Sequence, residues 1–220
     1  MVLRLFILCV AFLAGVTHSF SDIAYTSTNF ILGDVWFPEN IEYFDLDVDA
    51  NGSIDFSLTA AGTLSFAGIH PENQNKYLIH PSPPPNIGGP VAALNLNYII
   101  DSNSGSGTPE EWFGNNDYGG FILILSTGRT GEFYNDRGFV GLKFDADDGI
   151  HYGWIDVEGI QSSPTIQIRG WAYETEPNKA IAAGAIPEPS SISLLLLSGT
   201  IVWLSRNRKR KARIPYRFLR

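Results

Sequence analysis

Thiols are almost missing from this chain: Cys9 is the single cysteine in 220 residues. It lies inside an apolar leader, so the chain beyond that leader has no disulfide, no thiolate metal site and no cysteine nucleophile. Basic residues are scarce over most of the length. From Asp22 to Glu188 there are 23 acids and six bases (Lys76, Arg129, Arg137, Lys143, Arg169, Lys179), a net charge of −17. Such a segment repels phosphates, which excludes nucleic acid as a partner. Also absent are G-x-S-x-G, H-E-x-x-H and any phosphate-binding Gly loop, and no convincing amphipathic helix can be drawn through the same region.

The two ends are different. At the start, MVLRLFILCVAFLAGVTHS joins a short basic region (the amino group and Arg4) to an apolar run over residues 5–16, and small residues follow. Residues 1–21 read as a secretory signal peptide. An uncleaved anchor is the alternative, disfavoured because a helical span takes about 20 apolar residues. At the other end, AIPEPSSISLLLLSGTIVWLSRNRKRKAR places a Pro-Glu-Pro triplet before sixteen uncharged residues, 190–205, and then a cationic cluster. Sixteen residues make roughly 24 Å of helix, short of a hydrocarbon core of about 30 Å. Snorkelling arginines make up the rest. Proline cannot continue a helix interior, so the helix starts after Pro189, with a serine as its N-cap. Eight bases and no acid occur from Arg206 onward. That asymmetry keeps the last residues cytoplasmic and the acidic region outside.

The combination resembles the sorting signal of PEP-CTERM proteins, bacterial exported proteins whose tail is recognised by exosortase, a membrane transpeptidase-like cysteine protease. The resemblance assigns Pro187, Glu188 and Pro189 as the sorting motif and 190–205 as a single transmembrane helix. It assigns Arg206, Arg208, Lys209, Arg210, Lys211 and Arg213 as the stop-transfer cluster. IPYRFLR, residues 214–220, continues beyond the cluster as a cytoplasmic extension. The implied partners are exosortase, the secretion machinery, the membrane and exopolysaccharide. The implied route runs from transient inner-membrane anchoring to the cell envelope, surface or matrix of a Gram-negative-type bacterium. Two further blocks, YFDLDVDANGSIDFSL and the set GFVGLKF, HYGWIDVE and WAYETEPNKAIAAG, are similar to recurrent PEP-CTERM ectodomains and imply no chemistry.

Between the signals lie short β-rich runs: EYFDLDV, SIDFSLT, TLSFAG, NKYLIH, VAALNLNYII, GFILILS, FVGLKFD, HYGWIDVE and TIQIRGWAYE. Gly, Asn, Pro and Ser clusters separate them. In LNLNY leucines and asparagines alternate, as in a strand with one wet face. FILIL is apolar on both faces and reads as a central strand. In HYGWIDVE, Tyr152 and Trp154 share one side while His151, Ile155 and Val157 share the other, and one side must be core. The expectation is an all-β ectodomain over 22–176, an antiparallel, jelly-roll-like β-sandwich, with 177–186 as linker and 187–213 as the sorting signal.

The leading candidate site is Asp47, Asp49, Asn51 and Asp55. Carboxylates at alternate positions, then an amide and a glycine, let a tight loop turn oxygens to one point, as a calcium ion requires. An EF-hand is excluded, because its twelfth position is Leu58 and no helices flank it. Two readings stay open: a calcium-stapled hairpin, or a bare type I′ turn at Asn51-Gly52 with solvated acids around it. A second acidic run, Asp145, Asp147 and Asp148 beside His151, reads as a solvated hairpin tip, with a metal or acid–base cluster as the alternative. Trp112 and Tyr118 are candidate ligand contacts, whereas the remaining aromatics read as core. His70 and His80 read as loop residues. Glu110 and Glu111 are the nearest approach to a glycosidase pair. The function expected is a non-enzymatic structural or interaction protein. A carbohydrate-binding module, lectin-like and calcium-dependent, is the alternative, and a polysaccharide-acting enzyme comes third.

Overall fold

In the computed structural model the chain divides into two compact units, Met1–Ile186 and Pro187–Arg220. The structure describes residues 23–33, 41–61, 66–80, 90–114, 120–124, 131–134, 136–160 and 165–187. The leader 1–21, Glu188, Pro189, the helix expected at 190–205, the basic cluster and Tyr118 lie outside these residues. Among the described residues no helix is long and apolar enough to cross a membrane.

The described residues of the first unit are all-β and antiparallel. Its strands are β1 (Ile23–Leu32), β2 (Ile41–Leu46), β3 (Phe56–Ala61), β4 (Phe66–Pro71), β5 (Lys76–Ile79), β6 (Ile99–Ile100), β7 (Glu111–Phe113), β8 (Gly120–Ile124), β9 (Arg137–Ala146), β10 (Gly149–Ile160), β11 (Thr165–Glu174) and β12 (Ile181–Ala182). They form a six-stranded sheet β1-β11-β10-β9-β5-β7, a four-stranded sheet β2-β3-β4-β8 and a pair β12-β6.

Period-2 patterning explains how the layers meet. From β10, Ile155 and Val157 join Val140, Leu142 and Phe144 of β9 and Ile166 and Ile168 of β11 in one cluster. Leu46, Phe56, Leu58 and Ile69 of the four-stranded sheet belong to the same cluster, so the two sheets share a core. With no disulfide available, this burial carries the stability, at about 1.5–3 kcal/mol for each large apolar side chain.

The alternate residues of β10 are also covered. Tyr152 and Trp154 join Leu78, Ala92, Leu94, Ile100, Ala172, Ile181 and Ala183 in a second cluster. The expectation that one face of HYGWIDVE is core holds, and the structure adds that the other is buried as well, because the segments around 91–100 and 181–185 fold over the outer side. The same packing corrects the linker expected at 177–186. Ile181 pairs with Ile100 and is 2% exposed, and the Asn178 N–H donates to the Ile150 carbonyl at 2.7 Å.

Three local expectations also change. LNLNY is no strand: Leu96 and Asn97 form a turn, with Asn97 at φ 68° and Leu96 exposed. Asparagine tolerates the left-handed conformation that the reversal needs. β8, the FILIL strand, pairs only with β4 and stands at the sheet edge among the described residues. Finally, β1 carries no clear strand signal in the sequence. Its polar centre, TSTN, hides a ten-residue edge strand that pairs with β11.

Candidate functional site

The last β2–β3 pair is Leu46 with Phe56, so nine residues, 47–55, form the loop between the strands. This excludes a two-residue type I′ turn at Asn51-Gly52. The positive φ values fall instead on Ala50 (59°) and Gly52 (93°).

Carboxylates organise this loop by accepting backbone N–H groups. Asp47 takes the Asn51 N–H on Oδ1 at 3.1 Å and the Gly52 N–H on Oδ2 at 2.7 Å. Asp49 accepts from the Asn51 backbone at 3.2 Å and from Asn51 Nδ2 at 3.1 Å. Asn51 Oδ1 in turn accepts the Ser53 N–H at 2.8 Å. Asp55 is buried at 4% exposure, with Oδ2 accepting the Val48 N–H at 2.8 Å and Oδ1 accepting from Asn75 Nδ2 at 3.1 Å.

Oxygens of Asp47, Asp49 and Asp55 lie within 4.8 Å of one another. Burial raises the Asp55 carboxyl to about 6, and the charges of Asp49 and Asp47 push the same way against the opposing Val48 and Asn75 bonds. Asp49 is raised too, by burial first and then by Asp47, against the Asn51 bonds. Three carboxylates crowded at one point suit a hard, oxygen-seeking cation. The structure brings together the three expected acids, while Asn51 braces Asp49 and Ser53. Leu58, which an EF-hand would need as an acid, lies in the core.

The second acidic run is built the other way round. Asp147 and Asp148 form a two-residue tip between Ala146 and Gly149. His151 behind them is 2% exposed, with Nδ1 2.7 Å from the Glu174 carbonyl and Nε2 2.8 Å from Asp148 Oδ1. Its ring stacks on Phe144 and meets the edge of Tyr173. The hydrogen bond from His151 holds the Asp148 carboxyl below its usual range. Asn75 joins the two regions, because its Oδ1 accepts the Asp145 N–H at 3.0 Å while its amide nitrogen serves Asp55.

Trp112, expected on an exposed loop, sits on β7 half-buried, with its ring 6.2 Å from that of Tyr152. Its indole nitrogen is buried, with no hydrogen-bond partner among the described residues. Trp154 is core.

One constellation carries no sequence signal. His80 Nδ1 contacts Glu132 Oε1, and His80 Nε2 lies 3.5 Å from Glu110 Oε1. The other carboxylate oxygens accept the Ala93 N–H at 2.8 Å and the Tyr98 hydroxyl at 3.0 Å. Fifty-two positions separate His80 from Glu132, so only the tertiary fold assembles them. Glu110 accepts from the Tyr98 hydroxyl and lies against His80. No family model, no curated protein and no solved structure matches this chain.

Proposed function

We propose that this chain is a non-enzymatic exported protein whose jelly-roll-like β-sandwich is delivered to the cell envelope or matrix through a PEP-CTERM tail. In this reading, Pro187, Glu188 and Pro189 are the exosortase motif, 190–205 the transient anchor, and the basic cluster its cytoplasmic foot. One observation carries it beyond the tail's own pattern: the first compact unit closes at Ile186, and the motif starts at the next residue, with Pro187 exposed. A protease acting there meets an exposed residue just past the end of that unit. The test is mass spectrometry of both termini in protein from the native host. The expected product lacks the leader and ends near Pro187–Pro189. Exported protein that still carries residues 190–220 would overturn the reading.

Within that domain, Asp47, Asp49 and Asp55 form a calcium staple for the β2–β3 loop. Binding to the folded state alone stabilises by about 2.7 kcal/mol at a hundredfold excess over Kd. Melting curves with calcium and with chelator should therefore separate, and Asp49→Ala should close the gap. An equal calcium shift in that variant removes the staple.

A further inference from the structure

Asn51-Gly52 is the only Asn-Gly step in the sequence. In an unfolded chain this step is prone to deamidate, because glycine has no Cβ to hinder attack on the preceding side chain. The Gly52 amide nitrogen, after losing its proton, attacks Asn51 Cγ. The C–Nδ2 bond breaks, ammonia leaves, and a succinimide ring forms. Water then opens the ring to aspartate or isoaspartate.

We propose that Asn51 is a deamidation site held closed by Asp47 in the folded loop. Both asparagine and glycine are exposed, so burial provides no protection; the hydrogen bonds do. The Gly52 N–H donates to Asp47 Oδ2 at 2.7 Å, and a nitrogen anion formed there would face a carboxylate. Charge of like sign at that distance opposes the nucleophile. The electrophile is held at both ends as well. Asn51 Oδ1 accepts the Ser53 N–H at 2.8 Å, and Asn51 Nδ2, the departing nitrogen, donates to Asp49 at 3.1 Å. Opening of the loop breaks all three bonds together and exposes the step to reaction. The product places a further carboxylate beside Asp47 and Asp49, where like charges already crowd.

The experiment follows deamidation at Asn51 by peptide mass and isoaspartate content. The full chain is incubated at mildly alkaline pH, in native buffer and in concentrated urea, with chelator throughout. Excluding metal keeps the outcome separate from the calcium staple. The folded chain should react at least about tenfold more slowly than the chain in urea, the rate equivalent of one charge-assisted hydrogen bond. Asp47→Ala should bring the folded rate close to the urea rate. Asp47→Asn, nearly isosteric and able to keep the fold, should give an intermediate rate because it still accepts the N–H but carries no charge. Equal rates in native buffer and urea would overturn the proposal. So would slower reaction in either variant, which would make Asp47 a base that promotes the attack.

Discussion

The β2–β3 loop and the β9–β10 tip look alike as strings: each is an acidic run with a glycine between two β segments. Their interiors are opposite. In the first, a buried acid, Asp55, holds the Val48 backbone and Asn75. In the second, a buried histidine holds an exposed acid. The first buries its carboxyls and crowds them together, and burial foremost, with like charge adding to it, raises Asp55 and Asp49. The second lowers Asp148. Loop length decides the difference. Nine residues leave room for a carboxylate to fold inward, whereas a two-residue tip projects its side chains outward.

The contrast can be broken most directly at Asp55. Asp55→Ala leaves the buried Val48 N–H without its carboxylate acceptor and takes from the Asn75 amide one of its two acceptors, the Asp55 backbone carbonyl remaining; it should cost about 3 kcal/mol in urea unfolding. His151→Ala removes a ring packed between Phe144 and Tyr173 together with its hydrogen bond to the Glu174 carbonyl. Its expected cost is about 2 kcal/mol by the same measurement.

A pH series sharpens the comparison further. Because the folded Asp55 carboxyl is raised to about 6 from 3.8, the folded state binds its proton more tightly than the unfolded state does. Metal-free protein should therefore lose stability as pH rises from 4 through 6, by roughly 1–2 kcal/mol from this group. Asp55→Asn should flatten that part of the curve, and an unchanged slope would show that Asp55 is not the group responsible. The smallest effect belongs to Asp148→Ala. Its carboxylate is largely exposed, and the unfolding midpoint should stay where it is. A loss equal to that of Asp55→Ala would erase the distinction between the two turns.

The all-β class was legible because alternating runs such as SIDFSLT and FVGLKFD carry the period of strands directly. β1 was obscured because an edge strand needs little apolar content. LNLNY misled because alternation does not reveal that Asn97 takes a left-handed turn. The candidate acids were legible from their spacing. The nine-residue depth of their loop was not, since Asn51-Gly52 by itself suggests a shorter turn. Asn75, twenty positions from Asp55, gave no sign of its role.

Local pattern and charge, taken alone, determined the all-β class, the impossibility of a disulfide within one chain and the opposed charge of the acidic region and the basic tail. These come from what each residue prefers beside its immediate neighbours. Only the tertiary structure decided that both faces of β10 are buried, that 181–185 belongs to the core, and that Glu110, Glu132 and His80 meet. Those contacts join residues distant in the chain, and local preference does not specify which distant surfaces will close on each other.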